Sequence, residues 1–333
     1  MKQTSKIYIA GHSGLVGSAI ARALQALGYS NLLLRPHQQL DLTNQRDVQE
    51  FFVQERPEYV FIAAARVGGI LANGKYPGDF FRQNILIQTN VIHEAYRAGT
   101  KRLLFLGSSC IYPKFAPQPI KEEYLLTGPL EETNRAYAVA KIAGIEMCRS
   151  YNQQYGTRFI AAMPTNLYGE GDHYDLQNSH VIPAIIRKLH EAKVRGLGEV
   201  VLWGTGTSRR EFLYSDDVAD ACIFLMNLKD DVADAILAEK QTHAVINVGC
   251  SEDLTIRELS ELIASVVDFR GEIIFDSSKP DGTPRKLLDV SRLAALGWKP
   301  RVCLREGLVM TYRHFIEEYE SRSGEIHTST SLV

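Results

Sequence analysis

The segment Gly11-His12-Ser13-Gly14-Leu15-Val16-Gly17 follows directly on the apolar run 7–10, and it restricts the fold more than any other part of the chain. A strand that ends in this glycine spacing and leads into a helix, here 16–27, is the fingerprint of a dinucleotide-binding βαβ unit. The first glycine permits the tight turn, the second admits a pyrophosphate to the backbone, and the third lets helix and strand pack closely. A diphosphate would then rest on the free N–H groups and positive end of the helix. All seven residues are candidate cofactor contacts.

The second strand, at 32–34, is followed by Arg35-Pro36-His37, with no acid until Asp41. An NAD site usually carries an acid here for the ribose 2′-hydroxyl, whereas an arginine can pair with a 2′-phosphate. NADPH (NADP after turnover) is therefore the expected cofactor. For Arg35 alone, a solvated surface charge stays open as the plainer alternative.

Further along, helices at 45–54, 79–98 and about 134–153 alternate with strands at 59–65, 103–106 and 158–163. Such alternation implies a parallel sheet with helices on both faces. The fold class is α/β, a Rossmann-like doubly wound parallel sheet with a smaller C-terminal α/β substrate domain. Residues 1–164 form the dinucleotide-binding domain, with a later contribution from about 210–245, and 165–320 mainly bind substrate. In that second part, short strands at 200–203 and 245–248 flank helical periodicity at 216–228, and Thr255-Ile-Arg-Glu258 is a capping box opening a helix to Val267. The polar tail 321–333 is expected to be disordered, its Ser-Leu-Val ending an untethered terminus rather than a docking motif.

Composition narrows the partners. A formal net charge of -2 argues against nucleic acid or an anionic membrane, so an anionic ligand needs a local cationic pocket. No apolar run approaches the roughly 18 residues of a membrane span, and the early first strand leaves no room for a signal peptide. Five scattered cysteines (110, 148, 222, 250, 303) offer no C-x-x-C pair, no metal-ligand spacing and no even disulfide set. A cytoplasmic protein with reduced thiols and no metal is expected.

The chemistry centres on RLLFLGSSCIYP, residues 102–113. Its apolar run ends at Gly107, and in an extended chain Ser108 and Cys110 would face one space. The carboxyl end of a strand is where open α/β sheets bind ligands. The bland reading makes Cys110 a small core residue. Of 15 tyrosines only Tyr137 has lysine at i+4, Lys141, which puts both on one helix face. A nearby ammonium lowers a phenol pKa from its usual value of about 10. Serine can hold a carbonyl oxygen while tyrosine delivers its proton, so Ser108, Tyr137 and Lys141 form a candidate carbonyl-reductase site.

With these residues the chain resembles the extended short-chain dehydrogenase/reductase family. Longer strings are similar to its members that act as bifunctional 3,5-epimerase/4-reductases of GDP-4-keto-6-deoxy-D-mannose: AAARVGGI (63–70), LGSSCIYPK (106–114), YAVAKIAGIEMC (137–148), MPTNLYG (163–169), NSHVIPA (178–184) and KPDGTPRKLLD (279–289). The similarity runs from about Lys6 to Tyr319. It implies NADPH-dependent C3/C5 epimerisation followed by C4 keto reduction, giving GDP-L-fucose. It assigns Cys110 and His180 as the epimerase acid–base pair, which requires Cys110 to be at least partly thiolate. It places Lys188, Trp203, Arg210 and Asp281 on the GDP-sugar. It adds His37, Asp41, Leu42, Leu106, Gly107, Pro164, Thr165, Asn166, Leu167 and His180 to the cofactor contacts, beside Arg35, Ser108 and Lys141. A homodimer through the helix bearing Tyr137 and the helix at 79–98 is also implied.

Three departures stand out. Ser13 replaces the family's usual arginine, leaving Arg35 and His37 to recognise a 2′-phosphate. The runs 170–176 and 131–135 also differ, and both flank the expected sugar site. They leave room for a related GDP-4-keto sugar, such as a GDP-heptose or a 3-deoxy sugar. A non-catalytic NADP-binding sensor is the remaining alternative, but a sensor has no need of the Ser108, Tyr137 and Lys141 proton-delivery set.

Overall fold

The computed structural model describes residues 1–176, 179–239, 241–242, 244–279 and 281–329. The first half of the chain alternates as its apolar runs require: β1 (Ile7–Ala10), α1 (Leu15–Ala26), β2 (Leu32–Leu33), α2 (Gln45–Glu55), β3 (Tyr59–Ile62), α3 (Ile70–Lys75), α4 (Pro77–Arg97), β4 (Arg102–Leu106), α5 (Arg135–Tyr155) and β5 (Phe159–Pro164). Shorter elements follow: β6 (Asn166–Tyr168), α6 (Val181–Val194), β7 (Glu199–Trp203), β8 (Arg209–Tyr214), α7 (Ser215–Met226), α8 (Asp230–Ala238) and β9 (Val245–Val248). The chain closes with β10 (Asp253–Thr255), α9 (Ile256–Val267), β11 (Glu272–Asp276), β12 (Arg285–Lys286), α10 (Ser291–Ala295) and α11 (Leu304–Ser329).

Six strands form one sheet in the order β2-β1-β3-β4-β5-β9, every neighbouring pair parallel. Both faces are covered, as a parallel sheet requires. Alternation along β4 shows why the run is apolar throughout. Leu103 and Phe105 join the core under α2, α4 and α5, while Leu104 and Leu106 join the core under α1 and α7. Gly144 lets α5 lie close on this sheet, because a Cβ there would stand 2.5 Å from the Phe105 ring.

A second, mixed sheet is built on β8, which pairs antiparallel with β10 and parallel with β12 and β6. Glu211, fully buried on β8, ties the two sheets together. Its Oε1 accepts the backbone N–H groups of Cys250 (2.6 Å) and Ser251 (2.8 Å), just after β9, and its Oε2 accepts that of Leu288 (3.0 Å). The Glu211 carbonyl accepts Thr165 Oγ1 and Asn166 Nδ2, joining the end of β5 to the same point.

The structure departs from the sequence reading in its shorter elements, β8 among them, and at three further places. β3 stops at Ile62, not Ala65, because the chain passes over the glycine loop there; a Cβ on Gly11 would stand 2.6 Å from Ala64 N. The six-residue α3 carries Gly74 and is too short to leave a periodic signal. Helix α11 continues to Ser329, past the point at Ser321 where disorder is expected, while 330–333, with the Ser-Leu-Val ending, lie outside the described residues. Among the described residues, no helix is long and apolar enough to cross a membrane.

Candidate active site

The glycine loop has the geometry of a diphosphate cradle. Gly11 takes φ +83°, which favours glycine, and a Cβ on Gly17 would stand 2.0 Å from the Gly11 carbonyl oxygen. Gly14 caps α1 in an extended conformation with no side chain on the helix N–H groups, so those donors and the helix dipole face whatever occupies the loop. Ser13 and Gly14 are exposed, Leu15 and Val16 begin the helix, and burial lowers the pKa of the neighbouring His12.

Past β2, Arg35 is already engaged. It donates to Glu55 (2.9 Å) and to the Leu34 carbonyl, and its guanidinium lies over Phe51. His37 is exposed, with Nδ1 3.9 Å from Asp41, whose carboxylate accepts Thr43. Leu42 is buried, and its carbonyl accepts Asn90 Nδ2 from α4. A 2′-phosphate at this edge would meet Arg35 in competition with Glu55.

At the end of β4 the chemical groups converge, though not by strand alternation. β4 ends at Leu106, and Ser109–Ile111 form one turn of 3₁₀ helix. Ser108, in extended geometry, caps that turn: its Oγ accepts the Cys110 N–H at 3.3 Å. The capping bond, not an i, i+2 strand spacing, sets hydroxyl and thiol together. Cys110 then packs against Tyr137 and Phe80.

The electrostatics of the pair on α5 also reverse the expected sign. Burial raises the Tyr137 phenol above its usual value, the facing Cys110 adds to this, and the hydrogen-bonded Ser108 hydroxyl pulls the other way. Lys141 Nζ makes no hydrogen bond to the phenol and lies 6.0 Å from the centre of its ring. It donates to the Leu106 carbonyl at 2.8 Å and sits over the Phe105 ring, and its burial lowers its pKa to about 7. Placing an amine in an apolar site costs more than the neighbouring phenol returns.

Cys110 Sγ accepts two hydrogen bonds: Asn134 Nδ2 at 3.3 Å and Lys286 Nζ at 3.5 Å. Neither donor was singled out in the sequence. Arg210 on β8 lies close enough for the thiol to act on its charge. His180 stands apart as the N-cap of α6, exposed and with no hydrogen bond to Ser108, Cys110, Tyr137 or Lys141; the protein atoms around it lower its pKa. Pro164 ends β5, Thr165 is buried, and Asn166 and Leu167 open β6, so this run lies at the carboxyl edge of the sheet beside Glu211.

The expected GDP-sugar contacts fall into two linked pairs. Lys188 Nζ lies 5.7 Å from the centre of the exposed Trp203 ring, and Lys279 lies 5.8 Å from it. Arg210 donates to the Asp281 carbonyl at 3.3 Å. The Asp281 carboxylate accepts the N–H and the hydroxyl of Thr205, which binds it to the turn after Trp203 rather than leaving it free for a ligand. Among the described residues, no group of His, Cys, Asp or Glu could hold a metal ion.

The sequence profile of the NAD dependent epimerase/dehydratase family matches residues 7–249. The chain belongs to this family. Among its relatives, GDP-L-fucose synthase 1 of Arabidopsis thaliana is 55% identical over 320 residues, 96% of each chain. GDP-L-fucose synthase of Escherichia coli is 51% identical, covering 96% of this chain and 99% of its own. A solved structure of a GDP-mannoheptose C4 reductase from Campylobacter jejuni with NADP bound superposes with a TM-score of 0.84 at 41% identity, covering 95% and 99%. The family is one of nicotinamide dinucleotide enzymes, and the loop at Gly11–Gly17 and the cluster after β4 both stand at the carboxyl edge of the parallel sheet.

Proposed function

We propose that the chain converts GDP-4-keto-6-deoxy-D-mannose to GDP-L-fucose, epimerising C3 and C5 and then reducing the C4 ketone. The observation that carries this reading is the Ser108 hydroxyl acting on the Tyr137 phenol, with the Cys110 thiol packed against the phenol and its N–H held by the same hydroxyl. A ketone oxygen held by Ser108 and Tyr137 draws charge from C4 in either reaction. It acidifies the protons at C3 and C5, so a base on one face of the ring and an acid on the other can invert each centre. The same two donors polarise C4 for reduction. When bound, NADPH supplies the hydride that C4 accepts.

The chain's own groups divide the remaining work. Tyr137 gives its proton to the C4 oxygen, and its raised pKa keeps the phenol protonated until that oxygen takes up charge. Lys141 holds the Leu106 carbonyl at the end of β4 and sets its amino group 6.0 Å from the centre of the Tyr137 ring. Cys110 and His180 act as the epimerase pair. An imidazole of lowered pKa is the stronger acid when charged, which suits proton delivery. Lys188, Trp203 and Arg210 hold the nucleotide: a flat ring for stacking and two cations for the diphosphate, which reconciles a nearly neutral protein with an anionic substrate. Arg35 and His37 favour NADPH over NADH.

The likeness to the heptose reductase, together with the divergent run 170–176, supports a second reading: C4 reduction of a GDP-4-keto-heptose. Product analysis with NADPH separates the two. GDP-4-keto-6-deoxy-D-mannose should give GDP-L-fucose, and turnover of a GDP-4-keto-heptose alone would favour the second. The chain is further proposed to pair through α4 and α5, which pack together and expose Phe81 and Val139; a monomer in sedimentation velocity would contradict this.

A further inference from the structure

We infer that Lys286 is the positioning cation for Cys110, holding its sulfur as a thiolate with Asn134 as the second donor. The inference rests on the epimerase reading above.

Both donors come from outside the turn that carries the sulfur. Asn134 is the N-cap of α5, and its amide is spent on the sulfur at 3.3 Å rather than on the helix. Lys286 arrives from 176 residues away, on β12. The register Lys286↔Arg210 between β12 and β8 sets the two basic residues side by side. Their neighbours alternate away: Arg285 and Arg209 both pair with Asp253. Lys286 itself makes no ion pair with a carboxylate among the described residues, and Arg210 spends donors on the carbonyls of Arg209 and Asp281. Lys286, with no carboxylate partner among the described residues, is thus the cation that meets the thiol.

Lys286 is half-buried, and among the described residues the acidic group it hydrogen-bonds is Cys110. In the step itself, the thiolate takes a proton from C3 or C5, forming S–H. The C–H electron pair moves into the ring bond and onto the C4 oxygen held by Ser108 and Tyr137. A proton from His180 enters the opposite face of the same carbon, and the thiol then returns its proton to solvent before the next inversion. No oxidant or reductant is needed, and Lys286 keeps its charge throughout.

The test uses the full-length enzyme, with mass spectrometry following iodoacetamide alkylation of Cys110 at neutral pH and the exposed Cys303 as internal control. Lys286→Met should slow Cys110 alkylation by about tenfold or more and leave Cys303 unchanged, since the thiolate is the reacting form. Deuterium exchange at C3 and C5 should fall in step, reduction of an already epimerised ketone should fall far less, and Lys286→Arg should restore much of both. Unchanged Cys110 alkylation in Lys286→Met would overturn the inference, and lost exchange with unchanged alkylation would make Lys286 a substrate contact instead. If the wild-type enzyme shows no exchange, the epimerase reading fails, while the alkylation comparison still decides whether Lys286 holds a thiolate.

Discussion

Tyr137 carries the clearest consequence at the scale of a single residue. As the proposed donor to the C4 oxygen, its loss in Tyr137→Phe should cut the rate of ketone reduction by roughly 10²–10⁴-fold, the range for a general acid, while leaving the fold intact. Turnover within a few-fold of wild type, followed by NADPH oxidation, would remove it from the mechanism. The spacing Tyr137-x-x-x-Lys141 is readable in sequence because it depends only on helix geometry. The sign of the phenol shift is not, because burial against Phe80 and Cys110 is a property of the folded chain. Asp172 offers a second test. It is buried, its Oδ2 accepts no hydrogen bond, and desolvation raises its pKa to about 7 from an ordinary 3.8. Between those values the folded state holds a proton that the unfolded state has released, so this residue's contribution to stability falls as pH rises from about 4 to about 7. Asp172→Asn should remove that fall. The variant should gain stability over wild type at pH 8, by no more than about 4 kcal/mol, and little at pH 4.5. Urea midpoints at the two pH values check the difference; an equal gain at both would contradict it.

Among the elements, β8 decides how the site is assembled. Its Arg210 donates to the Asp281 carbonyl, its register with β12 brings in Lys286, and its Glu211 collects three backbone donors from the loops after β9 and β12. Glu211→Ala would leave those three N–H groups without an acceptor, at about 1–3 kcal/mol each. A loss of at least about 3 kcal/mol in chemical denaturation is expected on that basis, with Glu211→Gln in between because it retains one acceptor oxygen. A variant as stable as wild type would show that these contacts are dispensable. β8 was absent from the sequence reading. Its charged start, Arg209-Arg210-Glu211, reads as a solvated turn unless one knows that Asp253 and three backbone N–H groups meet it. Asn134 and Lys286 escaped notice for the same reason: each becomes a ligand of Cys110 only through pairing between distant segments. The glycine loop, by contrast, was legible because strand, turn and helix lie within twenty residues and each glycine has a local steric cause.

On the scale of the whole molecule, the parallel sheet brings the glycine loop and the β4 cluster to one edge, and the second sheet brings Arg210 and Lys286 to the β4 cluster. In the proposed mechanism one ketone oxygen, gripped by Ser108 and Tyr137, serves two reactions that differ only in whether a neighbouring carbon loses a proton or C4 gains a hydride. The wild-type enzyme and Ser108→Ala, incubated in deuterated water with GDP-4-keto-6-deoxy-D-mannose and no NADPH, test that claim most directly when mass spectrometry counts deuterium at C3 and C5. The account predicts label at both carbons with the wild type, and loss of exchange together with loss of reduction in Ser108→Ala. Label at neither carbon with the wild type, or a variant that keeps one activity while losing the other, would contradict it.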